Sequence, residues 1–106
     1  MLHRGEAEGF VHPVTVHELT YALPRVRSDT MRRREDVLAY LAPLLALESV
    51  HVPDKDAVLV ALRRWAAGGG RFADALLAAL AEERGTPVCS VNVRHFPGVH
   101  NTYMKA

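Results

Sequence analysis

The sequence predicts a single α/β domain with a short parallel sheet and a three-layer core. Its 106 residues suffice for one small domain. Short valine-rich runs alternate along the chain with longer segments whose apolar residues recur at helical spacing. Strands that are separated by helices pair in parallel through right-handed crossovers. In such a fold, functional residues lie at the carboxyl ends of the strands.

Three short apolar segments are predicted to form the strands. They are Phe10 to Val16, Glu48 to Val52 and Pro87 to Val91. Each is rich in valine and short enough for a buried strand. The sheet is therefore expected to be small.

Four helices are predicted between and around these strands. They run from Thr15 to Ala22, from Ser28 to about Leu41, from Lys55 to Ala67 and from Phe72 to Arg84. Pro24 and Pro43 are expected to end the first two, because a residue before proline is disfavoured in the α region. Gly85 is expected to cap the last helix, and three consecutive glycines form the turn before it.

The composition is that of an ordinary globular domain. Charged residues make up 24% of the chain, and the net charge is +1. This balance provides no overall attraction to nucleic acid or membrane, so any such attraction must come from a local patch. The single cysteine, Cys89, excludes an intramolecular disulfide and fits a reducing cytoplasm. No apolar run is long enough to span a bilayer, so we expect a cytoplasmic protein.

Three oxygen-bearing side chains are placed to meet at one edge of the predicted sheet. Glu18 follows the first strand, Asn92 follows the third, and Asp74 lies in the first turn of the helix that enters the third strand. Oxygen ligands of this kind suit Mg²⁺ or Mn²⁺ rather than zinc. The sequence therefore suggests a small metal site.

Each of these residues also has a simpler interpretation. Thr15 and Glu18 match a capping box, in which the acid accepts from the N-cap amide. Asp74 can be a first-turn acid that the helix dipole favours, although its apolar neighbours suggest a desolvated carboxylate that needs a cation or strong donors. Asn92 can be an ordinary turn residue.

A cluster of arginines allows two interpretations as well. A solvated helix face is the usual one. The alternative is a site that holds a phosphate backbone. The candidate residues are Arg25, Arg27, Arg32, Arg33, Arg34 and Arg94.

Taken in order, these segments resemble a PIN domain, the fold of the VapC-type toxin ribonucleases and of the PilT N-terminus-like family. The segment "HPVTVHELTYAL" is similar to the family's second strand and its Glu-Leu helix start. The segment "GGGRFADALLAALAEERGTPVCSVNVRHFPGV" is similar to its closing motif, in which an Asp inside an Ala/Leu helix precedes a strand and an Asn or Asp. The resemblance spans nearly the whole chain. It implies a three-layer α/β/α fold and Mg²⁺- or Mn²⁺-dependent hydrolysis of RNA, with Glu18 and Asp74 as metal ligands and Asn92 as a third catalytic residue.

Two departures from the family pattern shape the expectations. The family begins with a strand that ends in an Asp, and nothing here matches it; the first nine residues resemble the end of the family's second helix. His95 stands where many members have a further acid. We therefore expect residues 1–106 to form one PIN-like domain that is truncated at its N-terminus, with weak or no metal binding and little ribonuclease activity in this chain alone.

Three functions follow from these observations. The first is a metal-dependent ribonuclease of the VapC-like toxin type, with RNA as its substrate. The second is a non-catalytic, PIN-derived module that binds an antitoxin or another protein. The third is an unrelated α/β domain whose acids only cap helices. Because the neighbours of the absent strand would be left with an unpaired edge, we also expect a homodimer, with direct pairing of residues 88–91 against residues 11–16 as the alternative.

Overall fold

The structure is a computed structural model that describes residues 8–87. Its strands are β1 (Gly9–Phe10) and β2 (Val50–His51), and its helices are α1 (Pro13–Val26), α2 (Arg34–Leu45), α3 (Lys55–Ala66) and α4 (Phe72–Arg84). The order along the chain is β1, α1, α2, β2, α3, α4. The predicted third strand, apart from Pro87, lies outside the described residues, as do Asn92, Arg94 and His95.

The two strands pair in parallel, as their separation by helices predicts. Gly9 lies opposite Val50, and Phe10 lies opposite His51. The amide of Gly9 donates to Ser49 O and that of Val11 to His51 O, each at 2.9 Å. The described part of the chain is thus an α/β fold that is mostly helical, with a short parallel sheet.

The prediction of a strand from Phe10 to Val16 is wrong beyond Phe10. Helix α1 begins at Pro13, whose ring sets the backbone angle that the first helical residue needs. His12 is the N-cap, with extended backbone, and its Nδ1 accepts a hydrogen bond from the Val14 amide at 3.0 Å. The valines at 14 and 16 therefore belong to a helix, and Val16 is fully buried in the core.

Helices α1 and α2 both continue past the prolines that were expected to end them. Pro24 lies inside α1 and Pro43 inside α2. A proline removes one intrahelical donor, and the bonds that follow are intact: Arg27 N donates to Leu23 O at 2.8 Å, and Ala46 N donates to Ala42 O at 3.0 Å. Near a helix end, the loss of a single bond does not stop the helix.

The N-cap of helix α2 lies five residues after the predicted cap, Ser28. This N-cap is Arg33, whose amide donates to Asp36 Oδ2 at 3.1 Å. Glu35 and Asp36 both lie in the first turn, where the helix dipole favours acids. The start of α2 is therefore determined by Asp36, the third residue of the helix. Residues 27–30, which include the predicted cap, form a turn.

The second half of the described chain agrees closely with the predicted elements. Strand β2 is shorter than expected, whereas α3 ends one residue early and α4 matches at both ends. Gly85 caps α4 in the left-handed conformation with φ 64°. Gly68 and Gly70, with φ 95° and 88°, allow the chain to turn between α3 and α4. These boundaries were predictable because glycine is the residue that adopts positive φ without strain.

The core lies among the four helices. Helix α3 packs against α2 and α4, while α1 packs against α2 and α4. The largest fully buried side chains come from all four helices and from β2. They are Phe72, Leu41, Leu45, Leu62, Val16, Val37, Val50 and Val58. Burial of this apolar surface is the main stabilising contribution, at about 25 cal/mol per Å².

A bidentate ion pair joins α3 to α4 and makes the stability depend on pH. Arg64 Nη1 donates to Glu82 Oε2 at 2.9 Å, and Nη2 donates to Oε1 at 2.7 Å. These hydrogen bonds lower the pKa of Glu82 and raise that of Arg64. A carboxylate with a lowered folded pKa stabilises the fold above its unfolded pKa, and this contribution is lost as the pH falls through the folded pKa.

We expect Glu82→Gln to lower the free energy of unfolding by up to about 1 kcal/mol at neutral pH, because both side chains are partly exposed. The difference from the wild type should shrink as the pH falls below the usual carboxyl pKa of about 4. Urea unfolding at neutral and acidic pH measures this difference in the free energy of unfolding. The matched control is Glu83→Gln, which changes the adjacent exposed acid. A deficit that stays the same at acidic pH would contradict this role for the ion pair.

Candidate functional site

The N-terminal parts of α1 and α4 lie against each other. The rings of His17 and Phe72 stack with centroids 6.3 Å apart and an angle of 26° between their planes. Phe72 is the first residue of α4 and is only 1% exposed. This contact brings the segment that carries Glu18 next to the one that carries Asp74. The contact therefore joins the N-terminal parts of two helices that are far apart in sequence.

Glu18 is exposed on α1 and does not follow a strand directly. It is not the acid of a capping box either, because His12 is the N-cap and Thr15 lies inside the helix. The capping interpretation of Glu18 is therefore wrong. Its role as a metal ligand stays a prediction, and its exposed carboxylate is accessible to an ion from solvent.

Asp74 is the third residue of α4 and is only partly buried. The expectation that its apolar neighbours enclose it is therefore only partly met, although Ala75 and Ala78 beside it are buried. The position is one where a helix dipole stabilises a carboxylate. The ligand role of Asp74 stays a prediction alongside this simpler explanation.

Glu18 and Asp74 are the type of ligand that a hard divalent cation prefers, but two carboxylates are too few to form a complete site. Carboxylate oxygens are the ligands that Mg²⁺ and Mn²⁺ prefer. Within residues 8–87, however, no group of three His, Cys, Asp or Glu side chains is arranged to hold a metal ion. A complete site would need further donors from solvent, from RNA or from residues such as Asn92 outside that range.

Two of the candidate RNA-binding arginines have evident roles in the fold. Arg34 Nη1 donates to Trp65 O at 2.9 Å and to Gly70 O at 2.8 Å, which ties α2 to the α3–α4 turn. Its guanidinium carbon lies 4.9 Å from the Trp65 ring centroid. Arg33 pairs with the acids of its own helix, Glu35 at 3.2 Å and Asp36 at 3.9 Å.

The other candidate arginines of the described chain are more available. Arg25 lies with its guanidinium carbon 5.3 Å from the Tyr21 ring centroid. Arg27 follows α1 as its C-cap, and Arg32 precedes α2; both are exposed. Arg94 lies outside the described residues. Their RNA-binding role stays a prediction.

A cavity of about 360 Å³ lies where α1, the start of α2, the end of α3 and the start of α4 meet. Because three arginines line it, we call it the basic cavity. The residues that line it are His17, Thr20, Tyr21, Pro24, Arg32, Arg34, Trp65, Arg71 and Phe72. The contributions of Tyr21, Trp65 and Arg71 to this cavity were not predicted from the sequence. The one sequence signal for this cavity is the spacing of His17, Tyr21 and Arg25. These residues are four apart, so they lie along one face of a helix.

An apolar groove of about 400 Å³ runs on the other side of His17 and Phe72, between the starts of α1 and α4. Pro13, Val14, Leu76, Leu77 and Leu80 contribute most of its apolar surface. Val14 and Leu77 are both substantially exposed. Neither Glu18 nor Asp74 lines this groove or the basic cavity.

The family relationship agrees with this architecture. The family model of the PIN domain matches residues 2–97. The chain therefore belongs to the PIN-domain family, as the two sequence motifs predict. Membership implies a nuclease-type function, and PIN domains generally use divalent metals.

Two other comparisons add no further relative. Neither the curated proteins nor the solved structures include a significant match to the chain. Among the helices that the structure describes, none is both long and apolar enough to cross a bilayer.

Proposed function

We propose that this chain is a ribonuclease of the VapC-like toxin type, in which Glu18 and Asp74 bind Mg²⁺ or Mn²⁺ and Asn92 completes the catalytic group. The observation that supports it best is the stacking of His17 on Phe72 at 6.3 Å, because His17 directly precedes Glu18 and Phe72 lies two residues before Asp74. A cytoplasmic location is part of the proposal, because the RNA substrate and a single unpaired cysteine both fit that compartment.

The roles of the chain's own residues follow from their positions. When bound, the metal would polarise the phosphate and promote deprotonation of water. Glu18 is exposed and can reach an ion that also touches RNA. Asp74 lies in the first turn of α4. Arg25, Arg27, Arg32 and Arg94 would hold phosphates, whereas Arg33 and Arg34 would contribute less because of their contacts within the fold.

We expect Glu18→Gln to lose any Mn²⁺-dependent RNA cleavage that the wild type shows, since an amide oxygen binds a cation more weakly than a carboxylate. The assay follows cleavage of a labelled single-stranded RNA with and without Mn²⁺. The matched control is Glu35→Gln, an exposed acid of the α2 first turn. Cleavage that persists at the wild-type rate in Glu18→Gln would rule out this role.

A non-catalytic binding module is the second candidate, and the apolar groove favours it. Exposed apolar surface between two helices is the kind of surface onto which an amphipathic helix docks. A cognate antitoxin is the partner that a VapC-like toxin would have. The cleavage assay discriminates the two functions: metal-dependent activity that requires Glu18 supports the enzyme, and its absence with an intact fold supports the binding module.

We expect the purified chain to form a homodimer. Strand β1 pairs with β2 along one edge, and within residues 8–87 no strand pairs with its other edge. Phe10 in β1 is 68% exposed, and unpaired strand edges with apolar side chains recruit other chains. Light scattering coupled to size exclusion should give twice the monomer mass for the wild type. The measured mass of Phe10→Arg should fall toward that of the monomer. A monomeric mass for the wild type at micromolar concentration would contradict the dimer.

A further inference from the structure

The basic cavity carries positive charge that the described chain does not neutralise. Arg32, Arg34 and Arg71 line it, and none of its lining residues is acidic. Within residues 8–87, none of these three arginines forms an ion pair. By contrast, Arg33 and Arg64 both pair with carboxylates. Three cations that form no ion pair within residues 8–87 surround one concavity, which favours an anionic ligand.

The side chain of Arg34, which lines the cavity, is held in one conformation by its contacts. Its two hydrogen bonds to Trp65 O and Gly70 O and its position over the indole ring hold the guanidinium in one place. An arginine that is positioned in advance loses less side-chain entropy when a ligand arrives. Arg32 and Arg71 are exposed and remain available for direct contact with an anion.

Tyr21 provides an aromatic surface at the same cavity. The side chains of Trp65 and Phe72 are buried, so they form its floor rather than a contact surface. Tyr21, however, is 58% exposed. Its ring is held by an edge contact with His17, at a centroid distance of 6.1 Å and an angle of 89°, and by Arg25 at 5.3 Å. An exposed aromatic ring that its neighbours hold in place is a stacking surface for a nucleobase.

The size of the cavity agrees with one nucleotide. Its volume of about 360 Å³ falls near the lower end of the ~300–1,000 Å³ range of small-ligand sites. A base that stacks must be unpaired, because in a duplex its faces are covered by neighbouring base pairs. The combination of a stacking ring and adjacent arginines is the one by which proteins bind single-stranded nucleic acid.

We propose that the basic cavity binds one unpaired nucleotide of a single-stranded RNA, with its base stacked on Tyr21 and its phosphate held by Arg32 and Arg71. The inference rests on the proposed ribonuclease function and adds to it a nucleotide subsite, in which Tyr21 and Arg71 are given roles that the proposed function does not assign. The cavity lies beside the segments that carry Glu18 and Asp74, since His17 and Phe72 belong to its lining. A nucleotide held there anchors the strand beside these segments, although neither acid lines the cavity itself.

The test measures binding without cleavage. A short, fluorescently labelled single-stranded RNA is titrated with the full chain in EDTA, and anisotropy gives the Kd. We expect Tyr21→Ala to raise the Kd roughly five-fold or more, because stacking on one base contributes about 1–3 kcal/mol. Tyr21→Phe should retain the affinity. The matched control is Tyr40→Ala, which removes a tyrosine that is 53% exposed on α2 and does not line the cavity.

The phosphate contact is tested through the salt dependence. Loss of one phosphate contact reduces the slope of log K against log salt by about 0.7 for a single strand. We expect this reduction for Arg71→Met and not for Arg63→Met, an exposed arginine of α3 outside the cavity. Circular dichroism confirms that each variant is folded.

Three competition results decide the ligand. An unlabelled single strand should displace the probe, while a duplex of the same sequence should displace it only weakly. A free nucleoside monophosphate should need a far higher concentration than the strand. A duplex or a monophosphate that competes as well as the single strand would overturn the proposal, as would an unchanged Kd in Tyr21→Ala or no RNA binding by the wild type.

A separate cleavage assay shows which of the two proposals fails, the RNA-binding role of the basic cavity or the ribonuclease function. If the wild type cleaves RNA through Glu18 but Tyr21→Ala binds it normally, the cavity assignment fails and the function stands. If Tyr21→Ala loses binding but no cleavage is found, the cavity assignment stands and the catalytic function fails.

Discussion

Phe72→Ala is expected to lower the free energy of unfolding by about 3–5 kcal/mol, as removal of a buried aromatic ring usually does. Phe72 begins α4, is almost fully buried and stacks on His17 of α1. The change therefore leaves a void where α1 and α4 meet. Because a small domain has a total stability of about 5–15 kcal/mol, the variant should unfold at a much lower urea concentration.

The control for this experiment is Tyr40→Ala, since Tyr40 is an exposed aromatic residue of α2. Surface substitutions usually change stability by no more than about 0.5 kcal/mol. Urea unfolding followed by circular dichroism measures both variants. A loss below about 1 kcal/mol for Phe72→Ala would show that the contact between α1 and α4 contributes little to the fold. The proposed pairing of the acid-bearing segments would then lose its structural basis.

Asp74→Asn is expected to abolish binding of Mn²⁺ while leaving the fold intact. In the wild type, we expect this binding to be weak, because Mg²⁺ and Mn²⁺ retain several waters and two acids provide few of the ligands. Removal of one of two carboxylates should then leave no measurable heat in a calorimetric titration. Loss of the helix-dipole contribution of this first-turn acid should by itself cost roughly 0.3–1 kcal/mol.

The matched control for Asp74→Asn is Asp56→Asn, which changes a first-turn acid of α3. Both variants lose a comparable helix-dipole contribution, so a difference in Mn²⁺ binding between them separates the ligand role from the dipole role. If Asp74→Asn and the wild type bind Mn²⁺ equally, Asp74 is not a ligand of the ion. If Asp56→Asn loses binding as well, the ion binds non-specifically.

The second half of the described chain was predictable because its signals are local. Pro53 and Asp54 precede α3, Gly68 and Gly70 form the turn, and Gly85 caps α4. Each of these acts through the backbone angles of the residue itself or of its immediate neighbours. Such preferences are present in the sequence whatever the rest of the fold does. The bounds of α4 and the start of α3 were therefore correct.

The first half was less predictable because its signals compete. The valines between positions 11 and 16 favour a strand, whereas Pro13 and the His12 cap favour a helix start. The helix prevails, and Val16 becomes a core residue. Likewise, Pro24 and Pro43 lie in the last turns of helices that continue past them. Local preference alone does not decide such cases, since packing of the helix on the core outweighs one lost hydrogen bond.

By itself, the sequence determined the α/β class, the parallel pairing and the PIN family, together with Glu18 and Asp74 as the acids to examine. Motifs of this kind are recognisable because their residues are close together in the chain. Only the tertiary structure decided which distant residues meet. The stacking of His17 on Phe72 and the gathering of Tyr21, Arg32 and Arg71 around one cavity depend on how α1, α2 and α4 pack. That packing results from burial of apolar side chains over the whole core, which no short segment specifies.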